Sequence, residues 1–113
     1  MAKDNNDGRP DWNADRALAL LGRYVLVGIT RVQADGKTFI SQEQLHGVIV
    51  SADARGGIAI SCRGTRSGET FTLPPHLDSF KPAPPGEFRL HSTGETVSHP
   101  DFITSWTFQA PPN

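Results

Sequence analysis

The chain has little of what most functional signatures require. Cys62 is its single cysteine in 113 residues. No disulfide can form within it, and a small fold without disulfides is expected in a reducing compartment. No run of 18 apolar residues occurs, and the stretch from Met1 to Arg16 lacks the apolar segment of a secretory leader. A soluble, cytoplasmic protein with no membrane contact is therefore expected. Charge of neither sign prevails: 11 Lys and Arg stand against 12 Asp and Glu, a net charge of −1. Such a balance gives no global field to draw in nucleic acid or an anionic membrane.

Signatures of chemistry are equally scarce. His46, His76, His91 and His99 are separated by 30, 15 and 8 residues, a spacing that matches no zinc pattern. There is no nucleophile elbow, and Gly56-Gly57 has no helix after it to make a phosphate cradle. The acids Asp78, Glu87, Glu95 and Asp101 join no convergent titratable cluster that periodicity can reveal. Neither catalysis nor a cofactor is expected. The enzymatic or metal alternative would use His91 and His99, which fall on the two strands of one expected hairpin. Cys62, in phase with Ile58 and Ile60, reads as a small core residue rather than a reactive thiol.

What the chain does have is β-strand patterning. Gln44 to Arg63 places the runs Val48-Ile49-Val50 and Ile58-Ala59-Ile60 on either side of Ala52-Asp53-Ala54-Arg55-Gly56-Gly57. The flanks suit a pleated surface and the centre a tight turn. Before it, Tyr24 to Val32 is apolar on both faces, as in a central strand, with Gly28 suggesting a bulge or bend. Asp35-Gly36 marks a turn ahead of an extended piece at Thr38–Ser41. Glu69 to Leu73 turns Phe71 and Leu73 inward and stops at Pro74-Pro75, after which the prolines make Pro74 to Gly86 a stiff irregular connection. Glu87–His91 and Glu95–His99 form a hairpin around Ser92-Thr93-Gly94, and Asp101 to Phe108 closes the domain with Phe102, Trp106 and Phe108 in phase. The core expected from this phasing is Ile49, Ile58, Ile60, Phe71, Leu73, Phe88, Leu90 and Trp106.

One short helix precedes the strands. Asn13 is its cap, Asp15 lies in its first turn and Gly22 follows its end. Ala17, Leu18 and Leu21 share the expected inner face, with Leu20 at the margin and Trp12 as a staple. Residues 1–10 are too polar to order themselves and read as a disordered tail to a single domain over 11–110. The segment from Ser67 to Pro74 echoes that from Thr93 to Pro100, 26 residues later. Both read as turn-then-strand units ended by proline.

A short helix, a long bent strand and then a hairpin together resemble the Sm-like and SH3-like small barrels. The residues that carry this are Leu45-His46-Gly47-Val48-Ile49-Val50-Ser51-Ala52-Asp53 and Gly57-Ile58-Ala59-Ile60, which look like the core of the first Sm motif; the chain has the look of a small bacterial β-barrel family. The resemblance implies a mainly antiparallel β barrel or roll of five to seven strands behind one short helix. It does not imply RNA binding, because Arg55-Gly56-Gly57 stands where that family's loop asparagine would be, and the second motif has no counterpart after Glu87.

The expected function is a non-enzymatic binding or assembly module, through a protein partner, through a homo-oligomer whose exposed edges pair, or through Pro82-Ala83-Pro84-Pro85 docking as a polyproline segment. The alternative is a nucleic-acid contact. Between Arg23 and Arg66 six basic residues face three acidic ones, and Arg55, Arg63 and Arg66 lie around two turns that a barrel would bring to one end.

Overall fold

The computed structural model describes residues 12–112, so the expected tail over 1–10 lies outside the described residues. Helix α1 spans Ala14–Leu20, opened by Asn13, whose side chain accepts the Arg16 N–H at 3.0 Å. Two turns can press only one narrow stripe against a neighbour. Ala17 and Leu20, three apart, form that stripe, and Trp12 extends it into the core. Leu18 and Leu21, expected to face inward, are instead 66% and 41% exposed.

Eight strands follow: β1 (Tyr24–Val32), β2 (Phe39–Asp53), β3 (Gly57–Cys62), β4 (Thr70–Leu73), β5 (Phe80–Pro82), β6 (Glu87–Arg89), β7 (Thr96–Ser98) and β8 (Phe102–Gln109). Six make one sheet in the order β4-β3-β2-β1-β8-β5, and β6 and β7 pair as a separate hairpin. The protein is thus mainly β with one short helix. The large sheet is open, its edges at β4 and β5 not joined among the described residues, so the expected barrel does not close. One pairing also departs from an antiparallel design, since β1 and β8 run parallel. Nonetheless the sheet curls. Leu73 on one edge strand and Phe80 on the other contribute to the same core cluster, and Arg55, Leu73 and Phe108 line one groove although three strands lie between β4 and β8.

The alternation of side chains sends β1 to both faces of the sheet. Val25, Val27 and Ile29 enter the main core with Leu45, Ile49, Ile58, Ile60, Cys62 and Leu73, under α1. Leu26 faces the other way, into a smaller cluster with Leu90 and Val97 of the hairpin region. Cys62 is buried as expected, its thiol against the Ile60 carbonyl at 3.8 Å, and burial pushes its pKa up. Of the expected core, Phe71, Phe88 and Trp106 are only partly buried: Phe71 and Trp106 pack at the margin of the main core and Phe88 at the margin of the smaller cluster.

Other features correct the sequence reading. Thr38–Ser41 is not a separate piece: from Phe39 it belongs to a 15-residue β2. Gly28 carries no bulge, since the pairing with Gln44 passes straight through it; the register breaks fall at Arg31/Val32 and between Ile49 and Ser51. Gly47 is needed for a close approach, because a Cβ there would overlap the Ser61 carbonyl and stand 2.9 Å from the Cys62 Cα. The Pro74–Gly86 connection is partly ordered, with a 3-10 turn at Leu77–Ser79 and β5 after it, and it drops Leu77 and Phe80 into the core.

Ile60→Ala is expected to cost about 2–5 kcal/mol in denaturant titration, from lost transfer energy and a cavity, whereas Leu18→Ala should stay within about 0.5 kcal/mol because its side chain is outside. Equal costs would contradict the burial described.

Candidate functional site

The three arginines named from the sequence do not converge. Arg55 lies in the β2–β3 turn and Arg63 just past the other end of β3, roughly 20 Å apart by the rise of a strand. Arg66 is tied up: its Nη1 meets Glu43 Oε1 at 2.8 Å, its Nε meets Glu69 Oε1 at 3.0 Å, and its guanidinium covers the Phe71 ring at 5.5 Å. Arg31 also pairs with Glu43. Arg31 and Arg66 are thus met by carboxylates, and with Arg55 and Arg63 at opposite ends of β3 the arginines present no single patch. His91 and His99 do not meet either. In the β6–β7 register Glu87 pairs with Ser98 and Arg89 with Thr96, which puts His91 at the hairpin tip and His99 at its base. Among the described residues no group of three or more His, Cys, Asp or Glu is placed to hold a metal ion.

Two different places gather the polar and apolar features that folding leaves over. The first is a chain of hydrogen bonds at the hairpin. The Tyr24 hydroxyl stands 2.7 Å from His46 Nδ1, and His46 Nε2 stands 3.3 Å from Glu95 Oε2. A carboxylate only accepts, so the His46 Nε2–H donates to Glu95, while the Tyr24 hydroxyl and His46 Nδ1 share the second bond. Glu95 also accepts the Thr65 N–H at 3.0 Å. The Arg63 guanidinium lies 5.3 Å over the Tyr24 ring, a cation–π contact. Although burial acts to raise the Glu95 pKa, hydrogen bonds from Thr93, His46 and Thr65 outweigh it and hold the carboxyl below its usual range. Burial lifts the Tyr24 phenol above its ordinary value, Arg63 opposing and Glu95 adding to the rise. A phenol so held stays protonated at neutral pH and is no activated nucleophile. Chemically the arrangement is a latch that joins β1, β2, the turn at Gly64–Arg66 and the hairpin.

Gly64 is required by this latch. Its φ is +68°, and a Cβ on it would overlap the Glu95 carboxylate and stand 2.7 Å from His46 Nε2. The sequence echo has a structural counterpart here, since Glu69 and Glu95, its matching glutamates, both grip the same turn, one through Arg66 and one through Thr65. His46 and Glu95 are visible as titratable residues in the sequence, but their 49-residue separation gives no signal that they pair. The hairpin tip is fastened as well: Gln44 Oε1 accepts the His91 N–H at 2.7 Å, and Ser92 Oγ accepts the Gln44 N–H at 3.1 Å.

The second place is the free stretch of β2. β3 pairs only with Gly47–Asp53, and the Arg63 N–H extends that side of the ladder to the His46 carbonyl. Ile49 bonds to Arg23 and Gly22 on the other side. Strand alternation then turns the backbone groups of Gln44 and Gln42 away from β1. Ser92 occupies Gln44, and among the described residues Gln42 is left at an open edge beside a groove of about 290 Å³ lined by Gln42, Glu43, Gln44, His91 and Ser92. Next to it Phe39 and Ile40 are 61% and 48% exposed. Comparison of the chain with protein-family models, with curated proteins and with solved structures gives no match.

The latch has two expected consequences. Gly64→Ala should cost about 1–3 kcal/mol, from strain at positive φ and displacement of the Glu95 carboxylate. Glu95, its folded pKa depressed, contributes stability in full above its unfolded value of about 4.3 and loses it as pH falls through the folded value. The difference in unfolding free energy between the native chain and Glu95→Gln should therefore shrink on acidification toward about pH 3; a difference independent of pH would show that the carboxylate charge plays no part.

Proposed function

We propose that the protein is a non-enzymatic binding and assembly module that takes an extended protein segment along the free edge of β2. The carrying observation is the mismatch in strand length, which among the described residues leaves the Gln42 backbone unpaired on one side with Phe39 and Ile40 exposed beside it. An unpaired edge is a template for an added strand, with main-chain hydrogen bonds supplying affinity and side-chain pockets selectivity. The groove along Gln42–Gln44 would take one side chain of such a segment, and Phe39 and Ile40 would cover the next. An incomplete roll of the SH3-like or Sm-like kind, in a bacterial-type cytoplasm, suits this role because edge exposure is inherent in small open barrels.

Panning the protein against a displayed library of random peptides tests this reading. Selected peptides should alternate apolar and polar residues and bind almost independently of salt. Phe39→Asp and Gln42→Pro, the second removing the outward N–H, should each weaken them about tenfold or more. Absence of such binders, or binders indifferent to both changes, would overturn the proposal. Binding of an oligonucleotide that collapses as salt rises would instead favour the nucleic-acid contact.

A further inference from the structure

The open edge of β2 already carries one occupant from its own chain. Outward-facing backbone groups recur at every second residue of a strand, and three such positions follow one another beyond the end of β3. The His46 carbonyl accepts the Arg63 N–H at 2.8 Å. The Gln44 N–H donates to Ser92 Oγ at 3.1 Å. The Gln42 backbone, among the described residues, has no partner on that side. Ser92 thus fills the single rung between the β3 side of the ladder and the open edge, the rung that a strand added at Gln42 would reach next. The groove lined by Gln42, Glu43, Gln44, His91 and Ser92 is the cleft between this edge and the hairpin tip.

Polar contacts of a readily exchanged kind hold the tip there. Gln44 Oε1 accepts the His91 N–H at 2.7 Å and the Ser92 N–H at 3.5 Å, and both bonds, like that from Gln44 to Ser92, are exposed. His91, Ser92, Thr93 and Gly94 are exposed themselves, and none belongs to either core cluster. An exposed hydrogen bond contributes little net free energy, because water or another main chain replaces it. The tip is also a closed turn in its own right: Leu90 donates to the Glu95 carbonyl and Gly94 to the Leu90 carbonyl, both at 2.8 Å. It can part from β2 without unfolding, while Leu90 and Val97 stay in the smaller core and Glu95 stays on Thr65 and His46. Local opening takes least free energy where buried apolar contacts are few and backbone bonds are exposed. We propose that the β6–β7 tip is an autoinhibitory cap on the β2 edge, in which Ser92 stands in for one residue of an added strand and a partner segment long enough to reach Gln44 displaces it. The cap rests on the proposed strand addition along β2 and supplies its regulation. In the free protein it shortens an edge that invites pairing with other chains. Toward a partner it lowers affinity by the fraction of molecules still capped.

Two measurements on the full chain test the cap, the first with no peptide present. Native-state hydrogen exchange should find the Gln44 amide protected in the native chain and about tenfold faster in Ser92→Ala, at an unchanged unfolding midpoint. The second measurement takes peptides selected on the native chain and lengthens each by two residues at one end or the other, one further rung of pairing. Extension at the end that lies toward Gln44 should gain little on the native chain and about threefold to tenfold in affinity on Ser92→Ala and on Gln44→Ala. A tip that merely supports the groove would give the opposite sign, weaker binding of every peptide in both variants. That result, unchanged exchange at Gln44 in Ser92→Ala, or an extension with the same gain on all three chains would overturn the cap and leave binding along β2 intact. Failure to select any peptide would instead overturn the edge as a binding site, and the cap with it.

Discussion

Strand β1 is apolar on both faces and paired on both edges, and the rest of the molecule is arranged around that demand. Val25, Val27 and Ile29 need cover on one side of the sheet and Leu26 on the other. A single layer of strands cannot supply both. The first side is met by the curl of the sheet, which brings both edge strands and α1 over one core. The second is met by the β6–β7 hairpin, a separate small piece laid across the sheet. Burial at about 25 cal/mol per Å² drives each layer onto β1, but it is non-directional. The hairpin therefore requires polar contacts to fix where it lands.

Those contacts are the Tyr24–His46–Glu95 chain and the Gln44 bonds to His91 and Ser92. A two-stranded hairpin is marginal by itself, and its few buried residues leave little apolar energy to hold it. Placing a histidine and a carboxylate at the seam adds directional, charge-assisted bonds where the apolar contact is thin. The same seam limits the open edge of β2. Ser92 occupies Gln44, so the edge begins only at Gln42. The latch and the proposed binding edge are thus neighbours by construction, set by where a 15-residue strand outruns its 6-residue partner.

Local chemistry was readable wherever two or three adjacent residues decide the outcome. Asp53 does accept the Arg55 and Gly56 N–H groups in the expected turn, and Asn13 does cap α1. Asp35 accepts the N–H groups of Lys37 and Thr38 in the turn after β1. Cys62, Ile58 and Ile60 alternate inward as their period requires. The inner face of α1 was not readable, because in a two-turn helix several stripes are almost equally apolar, and the shape of the sheet beneath chooses among them. The separation of Arg55 from Arg63 was hidden for a related reason: turns at opposite ends of β3 look close in a sequence and are separated by its length.

The sequence by itself determined most of the segments that extend (β5 excepted), most of the turns, and that β1 lies at the centre, because strand period, turn chemistry and two-sided apolarity are properties of neighbouring residues. Only the tertiary structure decided that β8 runs parallel to β1, that the sheet stays open, that His46 meets Glu95, and that Leu18, Leu21 and Val50 are left outside. These depend on contacts between residues tens of positions apart. Their pairing is selected by the closing of the whole core, and no local pattern encodes it.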